Sequence, residues 1–366
     1  MYQLKTRQIC FFIIAFLPIT KFFSLPSLLA SYSNEDLWLS ALASLIIDFI
    51  TLIPIVYLCK HNEKSFFEII EDIFGKNGAK VVAFLYLIYF IAKAILPLNE
   101  QKDYVEYTLY TLTPNVFYFI PLFALAFYMC FKKIRVLGRL SDIMWIITIN
   151  GFITLVALSL SNADFSAILP IGANGPKNII RGTIASFNWF GDSLFIFLLV
   201  GQFKWDKGSS LKIFLSYAIG SVMVLIFMII FYSIFTSIAF RQRFALTEIS
   251  KYTTVINNLG RFDYIGIFMI LFANMFAICL PIYFSSKLLE YIFSIKIVWL
   301  APVIVVAIEL IITLCLYEIS VSIEQFMTSY FTIYFFIFGN LAPIIISLIS
   351  LRRNKHAIKE SKSITY

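Results

Sequence analysis

The stretch from Gln8 to Tyr32, QICFFIIAFLPITKFFSLPSLLASY, decides the fold. It is long enough to cross a bilayer, since about 20 apolar residues span the hydrocarbon. Pro18-Ile19-Thr20-Lys21 interrupts its middle, and Pro26 interrupts it again. A lysine at that depth costs roughly 2.5–3.5 kcal/mol on insertion scales unless it finds a partner or a wet cavity. Broken backbone inside a membrane persists only where protein or water satisfies the freed polar groups. Helices interrupted this way are the usual binding elements of secondary transporters. The expectation is a protein that handles a small solute inside a membrane.

The rest of the chain agrees with a membrane setting. Of its 366 residues 60% are hydrophobic, forty are Phe and twenty are Tyr, and the mean hydropathy is +0.88. Soluble domains hold about 45–50% apolar residues. No polar segment is long enough to fold alone, so one integral domain over 1–350 is expected, followed by a basic cytoplasmic tail over 351–366. The five cysteines are scattered, without CxxC spacing, and His61 and His356 are far apart. Neither a disulfide framework nor a metal site is suggested. No cofactor is implied. Motifs for phosphate binding, nucleophilic catalysis or zinc hydrolysis are missing, so an enzyme is not expected. Lys5 and Arg7 before an apolar run resemble a signal peptide, but the run is too long and carries Lys21, so it reads as a retained first span.

Hydropathy gives ten spans, at about 8–32, 36–59, 79–98, 115–131, 142–161, 184–203, 211–239, 264–285, 297–316 and 326–350. With the N-terminus in the cytoplasm, the inner segments hold 2, 4, 4, 3, 2 and 5 basic residues, 20 of the 29. Seven lie on the opposite face, and Lys21 and Lys93 fall inside spans. The positive-inside rule then puts both termini in the cytoplasm. The net charge of +8 reflects topology and the anionic leaflet rather than nucleic-acid binding. The pattern of 64–74, with Phe66, Phe67, Ile69, Ile70, Ile73 and Phe74 set against Glu68, Glu71 and Asp72, predicts an amphipathic surface helix. A short helix near 246–255 could cover the outer mouth, and a plain solvated loop fits equally well.

Five ionisable residues fall inside spans: Lys21, Asp48, Lys93, Asp192 and Glu309. Each is a functional candidate, or else a partner in a pair that locks helices together. Asp48, Lys93 and Glu309 read as gating or ion-pair groups, and Lys93 could also snorkel towards an interface. Span six repeats the theme of span one, with Asn188-Trp189-Phe190-Gly191-Asp192 in an otherwise apolar helix. A glycine there marks a kink, or simply lets neighbouring helices pack. Unwound residues would offer free backbone groups to a solute, and the following half-helix N-terminus suits a carboxylate. Breaks in the first and sixth of ten spans lie five apart, as in two inverted five-helix repeats.

Several stretches together resemble the GerAB-type spore germination permeases, a branch of the amino acid/polyamine/organocation transporter superfamily. They are Phe23-Ser24-Leu25-Pro26 with Asp36-Leu37-Trp38, then Ser65-Phe66-Phe67-Glu68-Ile69-Ile70 with Phe74-Gly75-Lys76, and Leu112-Thr113-Pro114. Gly138-Arg139-Leu140-Ser141-Asp142-Ile143, Phe190-Gly191-Asp192 and Gly260-Arg261-Phe262-Asp263 follow in family order. The resemblance implies an all-α, LeuT-like transporter fold in the inner membrane of a bacterial spore. It also implies a three-part nutrient germinant receptor whose B-type subunit recognises a small germinant such as an amino acid. Its partners would be an A-type membrane subunit and a C-type lipoprotein.

One departure stands out. Related permeases usually carry glycines in the first break, where this chain has Ile19 and Lys21. Lys21 can pair with a solute carboxylate, occupy a cation site, or fill the pocket against Asp192. The candidate ligand residues are Thr20, Lys21, Phe22 and Ser24 from span one, Asn188, Trp189, Gly191 and Asp192 from span six, and Asn274 from span eight. Three readings compete: a germinant sensor, a proton-coupled amino-acid permease, and a structural subunit without a ligand.

Overall fold

A computed structural model describes residues 4–108, 116–251, 263–315 and 319–364. Leu112-Thr113-Pro114, Gly260-Arg261-Phe262 and the end of the expected 246–255 helix lie outside these residues. The chain is helical almost throughout. In order come α1 (Thr6–Phe16), α2 (Leu25–Ser33), α3 (Leu37–His61), α4 (Phe66–Thr108), α5 (Val116–Phe131), α6 (Ile134–Ser159), α7 (Gly175–Ala185) and α8 (Ser193–Leu198). Then follow α9 (Ser209–Phe235), α10 (Ala245–Lys251), α11 (Asp263–Phe293), α12 (Leu300–Cys315), α13 (Ser320–Ser329), α14 (Thr332–Phe336) and α15 (Ala342–Ile364).

Among the described residues, six helical stretches are long and apolar enough to cross a membrane: Leu25–His61, Phe66–Glu106, Ile134–Asn162, Ser209–Arg241, Gly266–Phe293 and Thr332–Arg353. Two apolar helices are shorter, Phe119–Phe131 and Leu300–Cys315. The expected spans at 8–32 and 184–203 are not continuous helices: the first is broken between α1 and α2, and the second opens at the end of α7, with α8 as its short helical part. Ile46, Ile50 and Ile53 of α3 and Leu211, Leu215 and Val222 of α9 face outward, as side chains against lipid do.

The expected surface helix forms the first part of α4. Its start is a capping box: Ser65 donates its backbone N–H to Glu68 at 2.6 Å, and Glu68 N–H returns to Ser65 Oγ at 3.4 Å. The Ser65 backbone N–H, together with the Ser65 hydroxyl donating to the same oxygen at 2.8 Å, holds the Glu68 carboxyl below the usual carboxylate range. Gly75 (φ +70°) then turns the chain into the long buried part of α4, a left-handed conformation that glycine adopts without Cβ strain.

Where hydropathy ends the third span at residue 98, α4 runs on to Thr108 with Pro97 inside it. The polar run after Pro97 is therefore packed helix. Asn99, Glu100, Gln101, Lys102 and Asp103 are all buried, so Lys102 belongs to the helix interior rather than to an outer loop.

Two polar faces close the ends of the bundle. On one, strand β1 (Leu4–Lys5) pairs in parallel with β2 (Phe203–Lys204), Asn62 donates to Ser350, and Arg353 donates to the Asp72 carbonyl. Tyr291 donates to Glu71 at 2.7 Å on the same face. On the other, Asp36 accepts the N–H groups of Gly172 and Asn174 at 2.7 and 3.1 Å. Arg243 there bridges Asp103 and Glu324 at 3.2 and 3.4 Å. Helix α10 packs against the first break through Ala245 N–H to the Phe23 carbonyl at 3.1 Å.

Candidate functional site

The first break runs from Leu17 to Ser24. A short 3₁₀ turn, Ile19–Lys21, follows Pro18, whose carbonyl accepts the Lys21 N–H at 3.0 Å. Pro26 sits in the first turn of α2, where a missing N–H costs nothing because that donor has no intrahelical partner. The second break runs from Ser186 to Asp192 as a series of tight turns, closed by Gly191 at φ +84°. A Cβ at Gly191 would lie 2.8 Å from Tyr89 Oη and 3.3 Å from the Gly339 Cα. Glycine is required there twice over, by conformation and by space.

The two breaks meet. Lys21 is fully buried and its ammonium pairs with Asp192. It also donates to Thr20 Oγ1 at 3.0 Å and lies 5.3 Å from the Phe190 ring centroid. Lys93 of α4 points into the second break and donates to the carbonyls of Asn188, at 2.7 Å, and of Phe190. Unwinding exposes those carbonyls, and a lysine satisfies them in place of helical N–H groups.

Asp48 takes the position expected for an anion at the start of α8. Its Oδ1 accepts the Ser193 N–H at 3.2 Å, its Oδ2 accepts the Tyr217 hydroxyl at 3.0 Å, and its carbonyl accepts Ser193 Oγ at 2.8 Å. The N-terminus of this half-helix is thus held by the chain's own carboxylate, which ties α3, α8 and α9 together.

A cavity of about 10 Å³ lies beside the two breaks, lined by Thr20, Lys93, Pro97, Asn188, Trp189 and Pro281 among others. That is roughly the space one water needs. The site is closed, and admitting a solute requires its walls to separate.

A family model described as spore germination protein matches residues 3–320. The chain belongs to that family. This spore germination protein is 22% identical over 209 residues to the spore germination protein YndE of Bacillus subtilis, a match spanning 57% of this chain and 58% of that relative. Its fold is similar to two mutant forms of the Eremococcus coleocola manganese transporter, with TM-scores of 0.57 and 0.56. Identities there are 10% and 11%, and each match covers 95% of this chain and 77% of that one. Family and fold together make it a non-enzymatic, multi-pass integral membrane protein with a transporter-like architecture.

The structure of this germination protein brings most of the sequence-selected residues to one place. Thr20, Lys21, Asn188, Trp189 and Asp192 converge at the breaks, and Lys93 joins them as a direct participant. Ser24 lies one turn further out, donating to Glu100. Phe22 turns away, stacking on Phe152 at 5.7 Å and packing at a tilt against Phe227 at 4.4 Å. Asn274 donates to Gln101 at 2.7 Å, in the layer beyond the cavity. Glu309 stands apart on α12, fully buried with neither carboxylate oxygen hydrogen-bonded.

Sequence reasoning missed Glu100 and Tyr89. Glu100 accepts Trp189 Nε1 at 3.1 Å as well as Ser24. The signal was there: Glu100 follows Lys93 by seven residues, two helical turns on one face, but Pro97 between them read as the end of the span. Tyr89 had no signal beyond being one aromatic among many.

Proposed function

We propose that this protein is the B-type subunit of a spore nutrient germinant receptor, which binds a small germinant, an amino acid by preference, between its two broken helices. The observation that carries the reading is the Lys21–Asp192 pair joining the first break to the second, in a chain of the spore germination family. The architecture we propose is ten crossings in two inverted five-helix repeats, with α1/α2 and α7/α8 as the broken first and sixth. The basic residues favour both termini in the cytoplasm, and the family favours the spore inner membrane, with A-type and C-type subunits as partners.

In this scheme the solute's carboxylate competes with Asp192 for Lys21. Binding then separates the walls of the closed cavity, and the open form is what the partner subunits read. A ligand shifts such an equilibrium only by preferring one state, and exchange of one carboxylate for another at Lys21 supplies that preference. The structural neighbours are mutant forms of a manganese transporter. Among the described residues no three His, Cys, Asp or Glu side chains gather to hold a metal ion.

Thermal unfolding of the purified protein against amino acids, nucleosides and sugars, with Lys21→Gly alongside, tests the proposal. A solute that raises the midpoint of the wild type and not of the variant supports binding at the first break. A shift confined to Lys21→Gly would instead mean that Lys21 plugs the pocket of a ligand-free structural subunit. The transporter-like fold supports a second reading, a proton-coupled amino-acid permease, and accumulation of labelled solute in vesicles separates it from a sensor.

A further inference from the structure

We propose that Glu100 is a cation-recognition group of this site and that the solute it takes carries a protonated amine. The inference rests on the solute-binding reading above. Glu100 is 6% exposed, and both breaks reach it. Ser24 from the first and the Trp189 indole N–H from the second donate to the same oxygen, Oε1. The other oxygen, Oε2, is buried and has no hydrogen-bond partner in the protein.

The neighbouring polar groups lean the same way. Asn188 Oδ1, Asp192 Oδ1 and Asn274 Oδ1 are buried acceptors without a partner. In the second break, Lys93 already donates to the backbone carbonyls of Asn188 and Phe190. What remains is a set of side-chain acceptors short of donors. Tyr89 Oη and Asn99 Nδ2, on the same helix as Glu100, are buried donors without a partner. A solute bearing N–H groups satisfies such a set, and one bearing only acceptors leaves it unsatisfied.

Charge gives an independent argument. With every group ionised, Lys21 and Lys93 balance Asp192 and Asp48, while Lys102 and Arg243 balance Asp103 and Glu324. An ionised Glu100 is one negative charge more than these clusters balance, and such a buried carboxylate is costly unless a cation joins it or it takes up a proton. An ammonium group at Oε2 neutralises it, and the Trp189 ring, which also lines the cavity, offers a face that attracts a cation.

The test uses the purified full-length protein and Glu100→Gln, which keeps an oxygen for Ser24 and Trp189 but removes the charge. Thermal midpoints are measured with the twenty common amino acids, with the amine-free counterpart of each responder (propionate for alanine, 3-phenylpropanoate for phenylalanine), and with sodium chloride alone. The expected result is a midpoint raised by an amino acid and not by its amine-free counterpart, with affinity weakened roughly ten- to hundredfold in Glu100→Gln. Equal response to the amine-free acid overturns the inference on the wild type alone, whatever the variant does. Unchanged affinity in Glu100→Gln also overturns it. A shift by sodium chloride that Glu100→Gln abolishes assigns the carboxylate to a metal cation and rejects the amine. Silence of the wild type to every probe sinks the solute-binding reading itself, and this inference with it.

Discussion

Lys21 and Asp192, 171 positions apart in the chain, pair at the point where two interrupted helices meet, with side chains 0% and 5% exposed. Each break alone would leave a charge in a low-dielectric interior. Together they form one neutral unit, so the breaks are energetically coupled and anything that displaces one partner is felt by the other.

Removing Lys21 alone strands the Asp192 carboxylate. Lys21→Ala is expected to destabilise the protein by about 3–5 kcal/mol, and adding Asp192→Asn should recover most of that loss. Denaturant unfolding in detergent measures both. In reconstituted spores the germination response is expected to be lost in the single and the double variant alike. A double variant that responds normally would reduce the pair to a structural lock.

Gly191→Ala is expected to be severe. A left-handed conformation costs a non-glycine residue roughly 1–2 kcal/mol, and the new methyl would press on the Gly339 backbone at 3.3 Å as well as on Tyr89. At Gly339 the tightest contact is the Tyr89 hydroxyl at 2.9 Å, so Gly339→Ala should be milder. Tyr89→Phe should rescue Gly339→Ala almost fully and Gly191→Ala only in part, as read by the thermal midpoint.

The clasp around Asp48 predicts an order of effects. Asp48→Ala leaves the buried Ser193 N–H without its carboxylate, an orphan costing about 1–3 kcal/mol, while the Tyr217 hydroxyl still donates to the Leu45 carbonyl at 3.1 Å. Asp48→Asn keeps an acceptor and is expected to cost less, and Tyr217→Phe less again. Hydrogen exchange at the Ser193 amide should rise in the same order.

Lys93→Met keeps the bulk of the stem but withdraws donors from two buried carbonyls, those of Asn188 and Phe190. A loss of about 2–6 kcal/mol follows from two orphaned acceptors. Limited proteolysis should then cut near the second break first. Cleavage unchanged from wild type would mean that these carbonyls find other donors.

The two polar faces give a topology test. Cysteine placed at Asn62 should be labelled by a membrane-impermeant thiol reagent only after permeabilisation, and cysteine placed at Asn174 in intact cells. The reverse pattern would overturn the proposed orientation of both termini.

The sequence alone established the apolar class and the position of both breaks, because each is written locally. A proline, a lysine or a glycine inside a run of hydrophobic residues has no local explanation in a bilayer, so Pro18, Lys21, Gly191 and Asp192 marked the two breaks themselves. The surface helix before Gly75 was equally legible, since its apolar stripe and its Ser65–Glu68 cap lie within a few residues. Tertiary structure decided the partnerships. That Lys21 meets Asp192, that Lys93 serves the carbonyls of the second break, and that Asp48 rather than a solute holds the start of α8 depend on groups 171, 95 and 145 residues apart in the chain. Packing also decided that the polar run after Pro97 stays helical and buried. Proline removes one hydrogen bond and crowds one turn, a local cost that burial between neighbouring helices outweighs, and no local reading of the sequence contains those neighbours.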